Sequence, residues 1–412
     1  MKGITLFIGL ALALSCTERA PRQTKTNDAV KAETADAKQI ATPIDNYAKP
    51  TVKVYIENSG SMDGYITGKD IKDIIYSYLT NINVANYAEK QEYFYINSNL
   101  ISINDNLDNF KNLTVEKFKK AGGNRGSSDI AEVIGKVLDN SSNNEVSLLV
   151  SDFIISPGKG RNATEYVKSQ QTKIKGLLAN ALRNEKNMGV LVYQCTANFN
   201  GIYYNITDAI TKINAQRPFY IFAFGKTNHL KELQNSVPEN KIDGLKNVCM
   251  IASEKNDVEY KVAYKSGEFN PSRKDPHHSI VNARKSRDGK LHISINADFN
   301  KLFASEQYLL DINNYEVSAP TYKIDTILKM SDGKYQIRIS SDKVVAAELK
   351  ILLRKNLSQW VIDSNDDSGV DIKSAEAMDK TFGIKYIVGG IYDACTFSDN
   401  VLTELKININ KE

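Results

Sequence analysis

Histidine and cysteine are scarce in this 412-residue chain, four of each, and neither type forms a cluster. His277 and His278 adjoin in a Pro- and Lys-rich stretch with no cysteine or third histidine nearby, which reads as a solvated loop and not as a zinc site. His229 and His292 stand alone. Excess charge of one sign is missing too. The 53 basic residues offset 49 acidic ones for a formal +4, so the chain carries no nucleic-acid footprint and its electrostatics select no partner. Beyond the N-terminal region no segment offers the roughly 18 uninterrupted apolar residues of a membrane-crossing helix. What remains is an ordinary globular balance, 42% hydrophobic and 25% charged, at a length that accommodates two domains with separate cores.

The N-terminus stands apart. Lys2 supplies a positive start, Ile4 to Leu14 is an apolar run, and "ALSC" ends at Cys16. A small residue followed directly by cysteine resembles a bacterial lipoprotein signal. That resemblance implies acylation of Cys16 after cleavage, a lipid anchor in a bacterial cell envelope, and an expected signal over residues 1–16. An ordinary cleaved secretory signal is the alternative. Residues 17–48 hold few large apolar side chains and much Thr, Ala, Lys and Asp, the composition of a flexible tether. Processing would leave Cys195, Cys249 and Cys395, an odd number in apolar settings. They read as buried thiols, with a disulfide or a reactive thiol as the alternatives.

From residue 49 to about 255, apolar runs alternate with amphipathic patterns. The expected strands are TVKVYI, EYFYIN, VSLLVS, MGVLVYQC, PFYIFAF and NVCMIA. Ile71, Ile74, Ile75, Tyr78 and Leu79 recur at helical spacing. So do Ile130, Val133, Ile134, Val137 and Leu138, with Asp129 and Glu132 placed as a cap pair, and residues 163–186 form a third helical pattern. Several strands are apolar on both faces, as in a sheet covered by helices on each side. The expectation is α/β: a doubly wound, Rossmann-like sheet with right-handed crossovers. From 256 to 412 the pattern changes to period two in KLHISINA, KYQIRIS, AELKILL and LTELKININ, which predicts a smaller, mainly antiparallel, sandwich-like β domain. One helix is expected on it over 374–393, where Ala375, Met378, Phe382 and Tyr386 share a face and Gly389-Gly390 weaken the end.

Chemistry concentrates at strand ends, where open α/β sheets bind ligands. In "VKVYIENSGSMDGY" three oxygen-bearing side chains, Glu57, Ser59 and Ser61, follow the first strand at alternate positions. "GGNRGSSDI" brings Ser128 and "LLVSDF" brings Asp152. Hard oxygen donors of this kind suit Mg²⁺ or Mn²⁺. The alternatives are structural: Ser128 or Asp129 capping a helix, Asp152 as a polar turn residue, Asp63 as a first-turn acid and Arg125 as a solvated charge.

These three elements, in this order, resemble the von Willebrand factor type A domain over roughly residues 50–253. That family carries Asp-x-Ser-x-Ser after its first strand, a threonine in a later Gly-rich loop and an aspartate after the fourth strand. Here Glu57 stands for the first aspartate and Ser128 for the threonine. The resemblance implies a metal site of Glu57, Ser59, Ser61, Ser128 and Asp152, with hydroxyls touching the cation and carboxylates acting mostly through water. It further implies a protein partner that presents Asp or Glu to the metal. The function expected is a membrane-anchored interaction or adhesion module. The same residues admit a metal-dependent phosphoester hydrolase, disfavoured because no histidine lies near the strand ends in sequence. A structural envelope component with a degenerate site is the third reading.

Overall fold

The six apolar runs of the first half are all strands, and they share one sheet in the computed structural model. The structure describes residues 48–103, 107–126, 129–155, 157, 160–207, 209–264, 268–370 and 372–410. Cys16, the signal-like segment, the tether up to residue 47 and Ser128 lie outside the described residues. The sheet strands are β1 (Thr51–Glu57), β2 (Lys90–Ile96), β3 (Leu100–Ser102), β4 (Glu145–Ser151), β5 (Met188–Tyr204), β6 (Ile210–Lys226) and β7 (Leu245–Ala252), in the order β3-β2-β1-β4-β6-β5-β7.

Parallel pairing is confined to β2-β1-β4. β6 runs antiparallel between β4 and β5, and β7 and β3 are antiparallel at the two edges. The expected α/β sheet flanked by helices is present, and its strands are mixed in direction. The reason is the link between β5 and β6. These two 17-residue strands are the arms of one hairpin, and hairpin arms pair antiparallel. At its tip the Asn205 side chain accepts from the Thr207 and Ala209 amides, both at 2.9 Å, a local turn that the polar side chain closes by itself. β5 still runs parallel to β4, one strand removed, because a helix connects them.

Strand alternation sorts the core into two layers. Val52, Val54, Ile56, Val146, Leu148 and Val150 pack with Ile71, Ile74, Ile75 and Tyr78 of α2 (Asp70–Val84), which follows the short α1 (Asp63–Gly68). Tyr55 and Leu149 face the other way, onto α3 (Ile130–Asp139) and α4 (Ala163–Asn184). Side-chain caps start both: Asp129 accepts from the Glu132 amide and Asn162 from the Glu165 amide, each at 3.2 Å. The chain thus leaves β1 for β2 across one face and reaches β4 across the other. The carboxyl ends of β1 and β4 flank a topological switch point.

Beyond β7 the expected antiparallel β region is present. One sheet has the order 322–329, 335–341, 291–297, 260–263, and a second joins 315–317, 347–354, 401–410, 279–281 and 270–271. Ile293, Ile295, Ile337 and Ile339 of the first share a core with Leu349, Ile351, Leu405 and Ile407 of the second. The helix expected over 374–393 is corrected. A single turn at Ala375–Met378 is followed by a bridge at Thr381–Phe382, and the helix proper is α5 (Ile384–Cys395). Gly383, at φ +83°, makes the break. α5 packs on α4, not on the β region. The glycine pair lies inside it for that reason: a Cβ on Gly390 would sit 2.6 Å from the Gln171 carbonyl oxygen of α4.

Cys195, Cys249 and Cys395 are buried and unpaired, and burial pushes the Cys195 and Cys395 thiols up to about 12. Among the described residues no helix is long and apolar enough to cross a membrane.

Candidate functional site

The turn after β1 is pinned on both sides. The Asn58 amide donates to the Ile96 carbonyl at the end of β2 (2.8 Å), and the Asn58 side chain donates to the Phe118 carbonyl (3.0 Å). The Gly60 amide donates to the carbonyl of Arg125, in the Gly-rich loop, at 3.1 Å. Held this way, Ser59 and Ser61 place their hydroxyl oxygens 3.0 Å apart. The chain then enters α1, which lies hard against β5: a Cβ on Gly201 would come within 2.6 Å of Gly64 Cα.

The end of β4 lies next to this turn. Ser151 is fully buried; its hydroxyl donates to the Glu57 carboxylate and accepts from the Phe153 amide at 2.7 Å. Asp152 Oδ1 accepts from the Ile154 amide at 3.1 Å. These two side chains close a turn in which Phe153 takes a left-handed φ of 49°, its ring stacked on Phe222 at 4.3 Å between centroids. The other Asp152 oxygen, Oδ2, is buried and has no hydrogen-bond partner. Burial pushes the Asp152 carboxyl up. The Ile154 amide, the Ser61 hydroxyl and the charge of Arg217 pull against that push without cancelling it.

Arg217 comes from β6, which runs past the end of β4: Ser151 pairs with Tyr220, and Arg217 lies three residues further out, paired with Ala197 of β5. Arg217 is 1% exposed, and its guanidinium lies over the Tyr203 ring, 4.6 Å from the centroid. Arg125 is not the solvated charge that the Gly-rich loop suggests. Its Nε donates to Asn58 Oδ1 (2.5 Å), and one terminal nitrogen donates to the Ser59 carbonyl (2.9 Å) and to the Asp63 carboxylate. Lys119 adds a second pair with Asp63 at 3.4 Å. Asp63 is thus the first-turn acid of α1, neutralised at the rim of the site.

Of the residues singled out in the sequence, Glu57, Ser59, Ser61 and Asp152 come together here. Ser128 lies outside the described residues, and its neighbour Asp129 caps α3 and pairs with Lys173 at 2.8 Å. Ser151 and Arg217 were not legible as site residues. Ser151 differs from many strand-end serines only by what faces it. Arg217 gives one signal, a charge at the threshold of the wholly apolar run PFYIFAF.

Among the described residues no group of three or more His, Cys, Asp or Glu side chains is placed to hold a metal. The donors here are of another kind: two neutral hydroxyls side by side and one buried carboxylate oxygen with an unused lone pair. That set fits a hard divalent cation and no soft one. Glu57, engaged by Ser151, stands behind it. Comparison with protein-family models, curated proteins and solved structures finds no match to this chain.

Proposed function

We propose that this chain is a lipid-anchored interaction module of the von Willebrand factor type A kind. Its site takes Mg²⁺ or Mn²⁺ and, through the cation, an Asp or Glu side chain of a protein partner. Ser59, Ser61 and Asp152 hold the ion, Glu57 contributes charge from behind, and Ser128 supplies the hydroxyl that the resemblance assigns to the Gly-rich loop. Cys16 is the anchor, and residues 17–48 give the reach. The observation that carries this reading is the buried, partnerless Asp152 Oδ2 next to the paired Ser59 and Ser61 hydroxyls. A buried carboxylate oxygen left without a donor is costly, and a cation relieves that cost. Neutral hydroxyls leave much of the cation's charge uncompensated, which favours an outside carboxylate as a further ligand.

The test is thermal. A ligand that binds only the native state stabilises it by about 1.4 kcal/mol at ten times its Kd. Mg²⁺ or Mn²⁺ at a few millimolar therefore raises the melting temperature measurably if Kd is on the order of 0.1 mM. Ca²⁺, which asks for more ligands, does less. The S59A/S61A double variant folds and loses the response. A wild-type protein with no thermal or calorimetric response to Mg²⁺ or Mn²⁺ sinks the reading, and the serines are then turn residues only.

A further inference from the structure

One residue holds both polar groups of the peptide between Ser59 and Gly60. The Gly60 amide donates to the Arg125 carbonyl at 3.1 Å, and the Ser59 carbonyl accepts from a terminal nitrogen of the Arg125 side chain at 2.9 Å. A trans peptide points these two groups to opposite edges of its plane. Arg125 therefore grips the unit from both edges, with its backbone at one and its side chain reaching round to the other. The orientation of that plane sets the backbone torsions on either side of it, and with them the directions in which the Ser59 and Ser61 side chains leave the turn. The same guanidinium takes Asn58 Oδ1 through Nε at 2.5 Å and the Asp63 carboxylate, and it lies over the Phe118 ring, 5.3 Å from the centroid. Three residues of the turn thus converge on one planar fork, which the point charge of an ammonium does not reproduce. The loop that carries Arg125 is seated in its own right. Asn97, just beyond β2, donates from its side chain to the Gly122 carbonyl at 2.9 Å. A Cβ on Gly123, whose φ is +75°, would run into the Asn97 side-chain amide.

We propose that Arg125 is the positioning residue of the cation site: it aims the Ser59 and Ser61 hydroxyls at one point without itself contacting the ion. This rests on the metal-binding reading above. Two hydroxyls that must face the same way lose rotational freedom on binding unless the backbone beneath them is already fixed. Charge argues in the other direction. A guanidinium close to a divalent cation repels it, and although Asp63 offsets that charge, Lys119 adds another beside it. Position and charge therefore predict opposite signs when Arg125 is replaced.

Mn²⁺ is titrated by calorimetry into wild type, R125M, R125K and K119M, and the waters on the bound ion are counted by water-proton relaxation. Loss of a group that orients a metal ligand weakens metal binding by about ten- to a hundredfold. R125M and R125K both weaken on that scale, R125K because lysine keeps the charge and loses the fork. In both, the bound Mn²⁺ gains a water where a serine hydroxyl has swung away, a change that lost stability elsewhere does not produce. K119M, which removes a rim charge and leaves the turn intact, stays near wild type. Tighter or unchanged Mn²⁺ binding in either Arg125 variant overturns the proposal, as does equal weakening in K119M. Weaker binding with an unchanged water count also overturns it, since the hydroxyls would then be in place without the fork. So does failure of both Arg125 variants to fold, judged by urea unfolding in EDTA, since the residue would then serve the fold. A wild-type protein that binds no Mn²⁺ removes the metal reading itself, a result distinct from any of these.

Discussion

Replacing Ser151 by alanine removes two hydrogen bonds at the buried junction of β1 and β4. The hydroxyl donates to the Glu57 carboxylate and accepts from the Phe153 amide at 2.7 Å, and Ser151 and Phe153 are both fully buried. A hydrogen bond to a charged group contributes about 1.5–3 kcal/mol, and a buried amide left without its acceptor costs about 1–3 kcal/mol. The Phe153 backbone, held at φ 49°, also loses the contact that fixes its turn. S151A should therefore cost about 3–5 kcal/mol, with a fall in melting temperature of about 5–10 °C. The assay is urea unfolding in EDTA, so that no cation contributes. The single tryptophan reports it: Trp360 donates its indole N–H to the Val248 carbonyl of β7 at 3.0 Å and senses loss of that docking. Adding E57Q closes a double-mutant cycle that isolates the Ser151–Glu57 coupling from the amide contribution. A loss below about 1 kcal/mol for S151A would refute the claim that this hydroxyl ties the two strand ends together.

Two further perturbations test the frame around the site. At Gly201 a side chain would meet Gly64 Cα at 2.6 Å and Gly64 N at 3.1 Å, both backbone atoms with little freedom to yield. G201A should cost about 1–3 kcal/mol and shift α1, weakening Mn²⁺ binding, whereas G176A, where nothing lies within 4 Å of the added Cβ, should do neither. His229 has its pKa lowered, first by burial and then by the charge of Lys226. Its neutral form is favoured in the fold, so this contribution to stability is fully present above the unfolded value of 6.5 and is lost as pH falls from there through the lower folded value. Urea midpoints at pH 7.5 and 5 should therefore differ less in H229Q than in wild type, and an equal difference in the two proteins refutes the assignment.

Local order is what the sequence made legible. The apolar alternation of Val52, Val54 and Ile56 marks β1, and the five small or polar residues after it mark the turn. Asp129 and Glu132 announce the start of α3, and the same spacing that predicts the cap is the spacing that makes it. The period-two runs after residue 256 form antiparallel strands for the same reason. Each of these signals spans a few residues, and the backbone geometry that reads it spans the same few. Gly389-Gly390 shows where this stops. Read locally, a glycine pair weakens a helix, but in α5 it lets the helix approach Gln171 of α4, a residue more than two hundred positions away.

By itself, then, the sequence determined the six long strands of the first half and the helices that cover them, and that oxygen donors gather at strand ends, but not the break at Gly383. Tertiary structure decided the rest. The hairpin of β5 and β6 inserts an antiparallel strand beside β4, which makes the sheet mixed and buries Arg217 over the Tyr203 ring. No pattern within β6 specifies that neighbour, because strand order depends on which edges remain open when the hairpin docks. The Ser151–Glu57 bond is likewise a contact between separate strands. Periodicity fixes the direction in which a side chain points, whereas its partner is set by long-range pairing that the chain settles only as the whole sheet closes.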